Sequence, residues 1–404
     1  MTTTRTTATW PSRVDADGQG PLAGVRVLDL TAYAVGPWAA SQMAQMGADV
    51  IRVDPPYGDP IRAVMPTREG EPTTYCSSNL GKRSVVLDLK DPADRNVAVR
   101  LASAADVVVE NARAGTMERL GLGFEQLREV NPALVYCSSS SFGDSGPLQN
   151  MGSTDPQGQA FSGFASLNGH PGEGPEVFRY VALIDLTTSM YLLQAILVGL
   201  YARRRTGHAQ YIRTSQMEAS LALQTTRFAE FFADGRSPEA LGTGSAVLVP
   251  SRSFLCQDGT YVSVTAPTDA LWQVLCAAVD RPDLAADERL RTNEGRLEHR
   301  DEVDDALAAA LAVRPSLWWS KRLARAGVPC VRLRTLEDAP DLNEHFQRNA
   351  FVARVPHPVA GEMAVAGPLW RFEKSRIEQR QAALPGAHTR EILEFTVGSD
   401  DDSA

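Results

Sequence analysis

Short hydrophobic runs alternate with helix-length segments over residues 25–138, and this alternation restricts the fold more than any other feature of the sequence. The runs are rich in Val and Leu and lie at residues 25–30, 49–53, 84–89, 106–110 and 134–138. Segments such as 37–46 and 92–104, which lie between the runs, have the length of helices. Strands that alternate with helices form a parallel sheet with helices on both faces. We therefore predict a large, doubly wound α/β domain.

The loops that follow these strands are where we expect a binding site, because ligands of open parallel sheets bind at the carboxyl ends of the strands. The loops are residues 31–37, 54–60, 79–83, 111–119 and 138–145. The first of them contains only Gly36 instead of the G-x-G-x-x-G pattern that binds dinucleotides. NAD binding therefore has weak support.

The chain beyond residue 225 predicts a second, smaller α/β domain inserted into the large one. Asp258-Gly259 stands between β-type runs at 253–255 and 261–265, which is the pattern of a β-hairpin. Helix-length segments and another hydrophobic run at 328–333 follow. The predicted boundaries are a disordered leader at 1–18, the first part of the large domain at 19–225, a linker at 226–245, the small domain at 246–340, a return to the large domain at 341–395 and an acidic tail at 396–404.

The charge balance argues against nucleic-acid binding. The 404 residues include 40 basic and 49 acidic ones, a formal net charge of −9, so an anionic ligand needs a local cluster of Lys and Arg. The five cysteines are scattered without a C-x-x-C pair, and Cys137 and Cys330 fall in apolar stretches that predict core positions. Together with the absence of an apolar secretory run in residues 1–18, this predicts a reduced, cytoplasmic protein without a metal site.

Residues 186–202 contain no charged side chain. Leucines recur at helical spacing there, which predicts a helix buried over most of its circumference. Cations at 203–205 and Gly207 form a typical C-terminal end, and Asp185 stands in the position of an N-cap. The carboxylate of Asp185 is therefore either a structural cap, which spacing alone favours, or a partly shielded nucleophile.

Motifs in a fixed order extend from residue 20 to residue 395 and together resemble a known family. They are the run 22–30, Gly36-Pro37, the segments 47–53, 79–84 and 109–111, Ser162-Gly163, Asp185 with the apolar helix, residues 205–207, Asp258-Gly259, and the segments 291–293, 326–330 and 385–393. The ordered set resembles the class III CoA-transferases, the family of formyl-CoA and carnitine CoA-transferases. The resemblance implies a Rossmann-like large domain and two chains interlocked as a homodimer.

The resemblance also implies a role for Asp185, because an aspartate in this position is the nucleophile of the family. CoA would move from an acyl-CoA thioester to a small carboxylic acid through an aspartyl anhydride and an aspartyl-CoA thioester. CoA and acyl-CoA are then substrates, and no permanently bound cofactor is implied.

Five residues are candidates for binding CoA. Lys82, Asn111 and Arg119 match CoA-binding positions of the family, and Arg83 and Arg113 are neighbouring candidates. The phosphates of CoA require cations and N–H donors, and these residues lie on the predicted loops at the carboxyl ends of strands. The alternative for each Lys or Arg is a solvated surface charge.

Two other activities are compatible with the sequence. Acyl-CoA racemases share the fold but carry a His before an Asp, where this chain has Thr154-Asp155. Without that His an acid–base pair is incomplete, and Asp155 is predicted to be a turn or cap residue. The second alternative is a non-catalytic CoA-binding subunit, against which the presence of Asp185 argues. His388 is expected to form a structural hydrogen bond.

Overall fold

The computed structural model describes residues 10–11, 20–64, 66–338 and 344–397, so most of the predicted leader and acidic tail lies outside the described residues. The chain forms two compact units. Unit 1 comprises Met1–Phe164, Val177–Arg236 and Glu344–Ala404. Unit 2 comprises Ala165–Glu176 and Ser237–Asn343.

The strands and helices follow one another in the predicted alternation through the first half of the chain. The strands are β1 Arg26–Leu30, β2 Asp49–Asp54, β3 Thr67–Arg68, β4 Glu71–Pro72, β5 Arg83–Val86, β6 Val107–Glu110, β7 Val135–Ser140, β8 Gln210–Ser215, β9 Ser251–Leu255, β10 Tyr261–Thr265, β11 Cys330–Arg332, β12 Val352–His357 and β13 Gly361–Ala366. The α-helices are α1 Val35–Gln45, α2 Thr73–Ser78, α3 Pro92–Ala104, α4 Thr116–Arg119, α5 Phe124–Val130, α6 Asp155–Phe161, α7 Leu183–Thr206, α8 Gln216–Leu223, α9 Thr225–Asp234, α10 Asp269–Ala278, α11 Pro282–Ala286, α12 Asn293–Glu298, α13 Arg300–Leu311, α14 Ser316–Arg325, α15 Glu344–Arg348 and α16 Thr389–Val397.

Unit 1 is built on a six-stranded parallel sheet in the order β5-β2-β1-β6-β7-β8, which confirms the predicted fold class. Alternate strand residues enter different cores, because successive side chains point to opposite faces. Leu28 and Val108 belong to the core on the side of α3, whereas Val27 and Val107 belong to the core shared with α1 and α7. Burial on both faces explains why these strands read as continuous hydrophobic runs.

The order of the main sheet reverses between β1 and β6. The chain proceeds from β1 outward through β2 to β5 and then returns to the other side of β1 as β6. The loop after β1 leads to α1 on one face of the sheet and the loop after β6 leads to α4 and α5 on the other. Ligands of such sheets bind between two loops of this kind, a place that we call the crevice. The predicted loops 31–37 and 111–119 are these two loops.

Unit 2 has a core of its own around an antiparallel sheet in the order β11-β10-β9. The pairing of Ser253 with Ser263 confirms the hairpin predicted around Asp258-Gly259. Helices α10 to α14 supply the rest of the core, including the fully buried Trp272 and Trp319. In unit 1, β12 and β13 form a second hairpin.

Two predictions about the extent of elements differ from the structure. The predicted linker at 226–245 begins with helix α9, Thr225–Asp234, which ends at Gly235 in a left-handed conformation. Helix α7 is buried along one face only: Leu192 and Ile196 are inaccessible, whereas Val198 and Tyr201 are 66% and 63% exposed. The reason is that α7 covers a single sheet face, so its apolar composition exceeds what the described residues bury.

Helix α7 is also long and apolar enough to cross a membrane by length and composition, and within the described residues it is the one such helix. Its buried face packs on the sheet of unit 1. At Gly199 an added Cβ would lie 2.5 Å from Cδ1 of Ile212 and 2.9 Å from Cγ1 of Val135. The missing side chain therefore permits the close approach of α7 to β7 and β8.

Candidate active site

Asp185 lies in the first turn of α7, two residues inside the helix that begins at Leu183. The predicted N-cap role is therefore wrong, since Ala182 occupies the N-cap position. The carboxylate of Asp155 performs the capping instead: its Oδ2 accepts hydrogen bonds from the backbone N–H groups of Ile184 at 2.6 Å and Asp185 at 3.2 Å. Asp155 thus satisfies donors that a helix start leaves without partners. Its own side chain is 5% exposed and also accepts from Nε2 of Gln159.

The side chain of Asp185 has one hydrogen-bond donor among the described residues. Nε2 of Gln216, the first residue of α8, donates to its Oδ1 at 2.5 Å. Gln216 is 5% exposed, and its Oε1 has no hydrogen-bond partner in the described part of the chain. The half-buried Asp185 keeps Oδ2 without a donor from the described residues. One carboxylate oxygen is therefore held while the other is available.

The pKa of the Asp185 carboxyl is raised to about 6. Burial is the largest cause, the negative charge of Asp155 adds to it, and the hydrogen bond from Gln216 acts in the opposite direction. Desolvation and a like charge both disfavour the anion. A carboxylate with a raised pKa is more basic than an ordinary Asp and is a stronger nucleophile once ionised. Perturbed carboxyl groups of this kind mark candidate catalytic positions.

Helix α7 joins Asp185 to the crevice between β1 and β6. Oγ of Ser189, one turn after Asp185, donates to the backbone carbonyls of Val35 at 2.7 Å and of Asp185 at 2.9 Å. Val35 is the first residue of α1, directly after the β1 loop. At Gly36 an added Cβ would lie 2.2 Å from Cγ2 of Thr31, so the loop can turn this tightly only around a glycine. The first turns of α1 and α7 are therefore neighbours.

Asn111 ties the two crevice loops together. Its Oδ1 accepts from the backbone N–H of Ala32 at 2.9 Å and its Nδ2 donates to the carbonyl of Ala32 at 2.8 Å. Glu110, just before it, accepts from the N–H of Ala112 at 2.7 Å, and burial raises the pKa of Glu110 to about 7. The predicted CoA-binding residue Asn111 thus sits at the switch point, where its amide fixes the loop after β1.

The predicted phosphate-binding cations fall into two groups. Arg113 and Arg119 are exposed on the loop and short helix after β6, and Nη2 of Arg119 donates to Oγ1 of Thr116 at 3.0 Å. Lys82 and Arg83 are 3% and 2% exposed and point into the protein. The structure therefore brings Arg113 and Arg119 to the loop surface and does not bring Lys82 and Arg83 there.

Lys82 belongs to a buried ion cluster beneath the crevice. Its Nζ donates to Oδ2 of Asp29 at 2.7 Å and to Oδ1 of Asn79 at 2.8 Å. Burial opposes ionisation of Asp29, but the charges of Lys82 and Arg52 outweigh it and lower the pKa of Asp29. Oδ1 of Asp29 accepts from the N–H of Thr31 at 3.0 Å. The charge of Lys82 is used to hold the loop after β1.

Arg83 is likewise occupied inside unit 1. Its guanidinium donates to Asp49 at 2.8 Å and to Glu391 of α16 at 2.8 Å. The neighbouring Ser84 N–H donates to Nδ1 of His388 at 3.2 Å, which is the structural hydrogen bond predicted for this histidine. These contacts fasten the C-terminal segment to β5.

The remaining predicted residues have structural surroundings. Cys137 is fully buried in β7, and burial raises the pKa of its thiol far above the ordinary range. Cys330 is half-buried in β11, and burial raises the pKa of its thiol to about 12. Thr154 and Gln157 form a reciprocal capping box at the start of α6. These positions supply no free thiolate and no acid–base pair.

A second cluster of titratable groups lies away from this site. One ligand atom each of Glu71, Cys76 and His357 lies within 4.8 Å of the others. Arg62 pairs with Glu71 at 3.0 Å. The N–H groups of Val359 and Ala360 donate to Nδ1 of His357, which assigns the ring proton of the neutral imidazole to Nε2, facing Cys76. A metal-binding His instead donates its second N–H to an acceptor, so this geometry does not favour a metal.

The chain is similar to CoA-transferases over nearly its whole length. The family described as CoA-transferase family III matches residues 22–389. Succinyl-CoA:glutarate CoA-transferase of Mus musculus is 32% identical over 390 residues, which cover 96% of this chain and 89% of the relative. Acetyl-CoA:oxalate CoA-transferase of Acetobacter aceti is 34% identical, with 83% and 87% covered. Succinyl-CoA:mesaconate CoA-transferase of Haloarcula hispanica is 35% identical, with 93% and 96% covered.

Solved structures agree with the fold. The crystal structure of a CaiB/BaiF family protein from Brucella suis matches with a TM-score of 0.84 at 27% identity, covering 94% of this chain and 100% of that one. A crystal structure of a protein from Mycobacterium tuberculosis matches with a TM-score of 0.82 at 29% identity, covering 93% and 99%.

Proposed function

The chain belongs to CoA-transferase family III, and from this membership and the surroundings of Asp185 we propose that it moves CoA to a free carboxylic acid through covalent intermediates on Asp185. The observation that carries the proposal is the half-buried Asp185 carboxylate, which has one oxygen bound by Gln216 and a raised pKa. It stands one helical turn from the residue that contacts α1, beside the crevice of the main sheet.

The first half-reaction consists of two attacks. The free oxygen of Asp185 attacks the thioester carbonyl, the carbon–sulfur bond breaks, and an acyl-aspartyl anhydride and CoA thiolate result. The thiolate then attacks the aspartyl carbonyl carbon, and the donor acid leaves as its carboxylate. Asp185 is left as a CoA thioester, and no proton is gained or lost overall.

The second half-reaction repeats these steps in reverse order. The carboxylate of the acceptor acid attacks the aspartyl thioester, and CoA thiolate leaves as a mixed anhydride forms. The thiolate attacks the acceptor carbonyl, which gives the new acyl-CoA and frees Asp185. Gln216 donates to Oδ1, the oxygen on which negative charge accumulates each time the aspartyl carbonyl is attacked. We assign Gln216 to the stabilisation of that oxyanion.

We assign the phosphates of CoA to Arg113 and Arg119, which are the exposed cations of the loop after β6. Asn111 and Lys82 stabilise the loop after β1 from inside the protein, Asn111 through Ala32 and Lys82 through Asp29.

The relatives named above use glutarate, oxalate and mesaconate, all dicarboxylates, so we propose a short dicarboxylic acid as acceptor. A cytoplasmic location and a homodimer are part of the same proposal.

Racemisation receives no support from the surroundings of Asp155. A racemase needs two groups that exchange a proton at the α-carbon. Asp155 is 5% exposed and accepts from the start of α7, and Thr154 bonds Gln157. The free oxygen and the raised pKa of Asp185 argue against the alternative that the chain is a non-catalytic CoA-binding subunit.

Trapping tests the covalent mechanism. The protein is incubated with succinyl-CoA and hydroxylamine, digested and analysed by mass spectrometry, and a hydroxamate is expected on the peptide that contains Asp185. Succinate in place of succinyl-CoA should give no hydroxamate, and Asp185→Asn should abolish both the label and CoA exchange between acids. Normal turnover in Asp185→Asn would refute the mechanism.

A further inference from the structure

A cavity of about 380 Å³ lies within unit 2, and nothing in the proposed chemistry uses it. One wall is the loop Leu241–Gly244, another is the start of α13, and strands β9 and β10 contribute the side chains between them. Arg252, Arg300, Asp301 and Asp304 are the carboxylates and guanidinium groups that line it. A concave site with apolar walls and a few convergent polar groups is the usual form of a small-molecule site.

The loop Leu241–Gly244, which forms one wall of the cavity, packs closely against Gly169 and His170. Gly242 has a φ of +57°, and an added Cβ there would lie 2.9 Å from Nδ1 of His170. Its N–H donates to the carbonyl of Gly169 at 2.8 Å, and Oγ1 of Thr243 accepts from the N–H of Ser253 at 3.1 Å. The loop is therefore fastened on both sides, and a side chain at position 242 would disturb it.

The charged groups of the cavity leave one cation and one anion without an ion-pair partner among the described residues, and the anion, Asp301, is the more exposed of the two. Arg252 pairs with the buried Asp304 at 2.7 Å, so these two cancel, and Nε of Arg252 is a buried donor with no hydrogen-bond partner in the described residues. Asp301 is exposed and solvated. The half-buried Arg300 has no ion-pair partner among the described residues. A half-buried guanidinium favours an anionic oxygen ligand.

We propose that the unit 2 cavity binds a small carboxylic acid, whose carboxylate is held by Arg300 and whose hydrocarbon part lies against Leu241 and Tyr261. A carboxylate matches the planar donor fork of an arginine. Binding in this cavity does not require the chemistry of Asp185. The proposal for the cavity and the proposal for the covalent mechanism can therefore be refuted independently.

Hydrogen–deuterium exchange locates the binding. The full-length protein is titrated with glutarate as the probe, and exchange is expected to slow in peptides covering residues 241–253 and 299–304. Arg300→Ala should weaken the apparent affinity by about tenfold or more, since it removes a charge-assisted contact. Arg300→Lys should recover part of the affinity, and Asp301→Asn should increase it by removing a nearby negative charge.

Arg291→Ala is the matched control, because that arginine is in the same unit with its side chain 72% exposed and pairs with Glu288. It should bind glutarate like the unchanged protein. Unslowed exchange at 241–253 and 299–304, or equal affinity in a folded Arg300→Ala protein, would overturn the proposal. Equal protection by inorganic phosphate would overturn the assignment to carboxylates. Hydroxamate labelling of Asp185 in the same samples separates these outcomes from a failure of the covalent mechanism.

Discussion

Protonation of a single carboxyl group should control the activity at low pH. Burial and Asp155 raise the pKa of Asp185 to about 6, and only the ionised carboxylate attacks a thioester. CoA exchange should therefore fall as the pH drops below about 6. In Gln216→Leu the carboxylate loses its hydrogen bond, the anion is less stable, and the acidic limb of the profile should move to higher pH. Rates of CoA exchange measured from acid to neutral pH in wild type and variant test both statements.

Gln224→Leu provides the control for that profile. Gln224 is 4% exposed, close to the 5% of Gln216, but it donates to Ser162 and Ser220 rather than to Asp185. Its loss should leave the position of the acidic limb unchanged. An acidic limb at the pH of an ordinary aspartate in the wild-type protein would contradict the raised pKa of Asp185. An acidic limb at the same pH in wild type and Gln216→Leu would contradict the role given to Gln216.

The two groups of cations should behave differently when they are removed. Arg119→Ala takes an exposed charge from the crevice loop, so CoA affinity should fall about tenfold or more, for a lost contact of about 1.5–3 kcal/mol. Lys82→Ala takes the nearer cation from the buried Asp29 and leaves it only Arg52 at 4.0 Å, so it should cost about 3 kcal/mol of unfolding free energy. Calorimetry with CoA and denaturant unfolding distinguish the two effects. An unchanged CoA affinity in Arg119→Ala would remove it from the site.

The residues of the site differ in how far the sequence could predict them. Asp185 could be singled out because it directly precedes the uncharged segment 186–202 and stands in a family motif. Gln216 could not, since its contact with Asp185 joins positions 31 residues apart in the chain and no local pattern encodes it. The burial of Lys82 and Arg83 also could not be predicted, because the residue type does not show whether the side chain of a loop cation points to solvent or into the protein.

At the scale of elements, the start of α7 depends on α6. Asp155→Ala would leave the N–H groups of Ile184 and Asp185 without their acceptor. Loss of a helix cap costs about 0.5–2 kcal/mol, so the free energy of unfolding should fall by about that amount. Asp155→Asn keeps an oxygen acceptor and should lose less. Denaturant unfolding of both variants measures the difference, and equal stability of Asp155→Ala and wild type would contradict the capping role.

Strands and helices were predictable where one kind of local signal dominated. The runs that became β1, β2 and β6 are buried on both faces, and this explains their unbroken hydrophobicity. The extent of burial of α7 was not predictable, because composition shows how apolar a helix is but not which of its faces other elements cover. The predicted linker contains α9, whose start depends on α8 ending at Leu223 and not on a local cap.

For the whole molecule, we propose that a second copy of the chain covers the exposed apolar side chains of unit 1. Val198 and Tyr201 of α7 and Phe232 of α9 are 66%, 63% and 77% exposed, and Tyr180 before α7 is 99% exposed. Val198 and Tyr201 lie three residues apart on the same helix, and exposed apolar groups in one patch mark interaction surfaces. The family resemblance implies an interlocked homodimer, in which this surface would be buried in an obligate interface larger than about 1,600 Å².

The mass in solution should therefore be twice that of the 43.7 kDa chain, and it should persist on dilution to nanomolar protein because folding and assembly are coupled. Light scattering after size-exclusion chromatography measures it. Val198→Asp places a charge in the proposed interface and should lower the mass or the yield of folded protein, whereas Val313→Asp alters a valine of unit 2 that is 60% exposed and should change neither. An active species of 43.7 kDa in the unchanged protein would refute the dimer, whatever the behaviour of the variants.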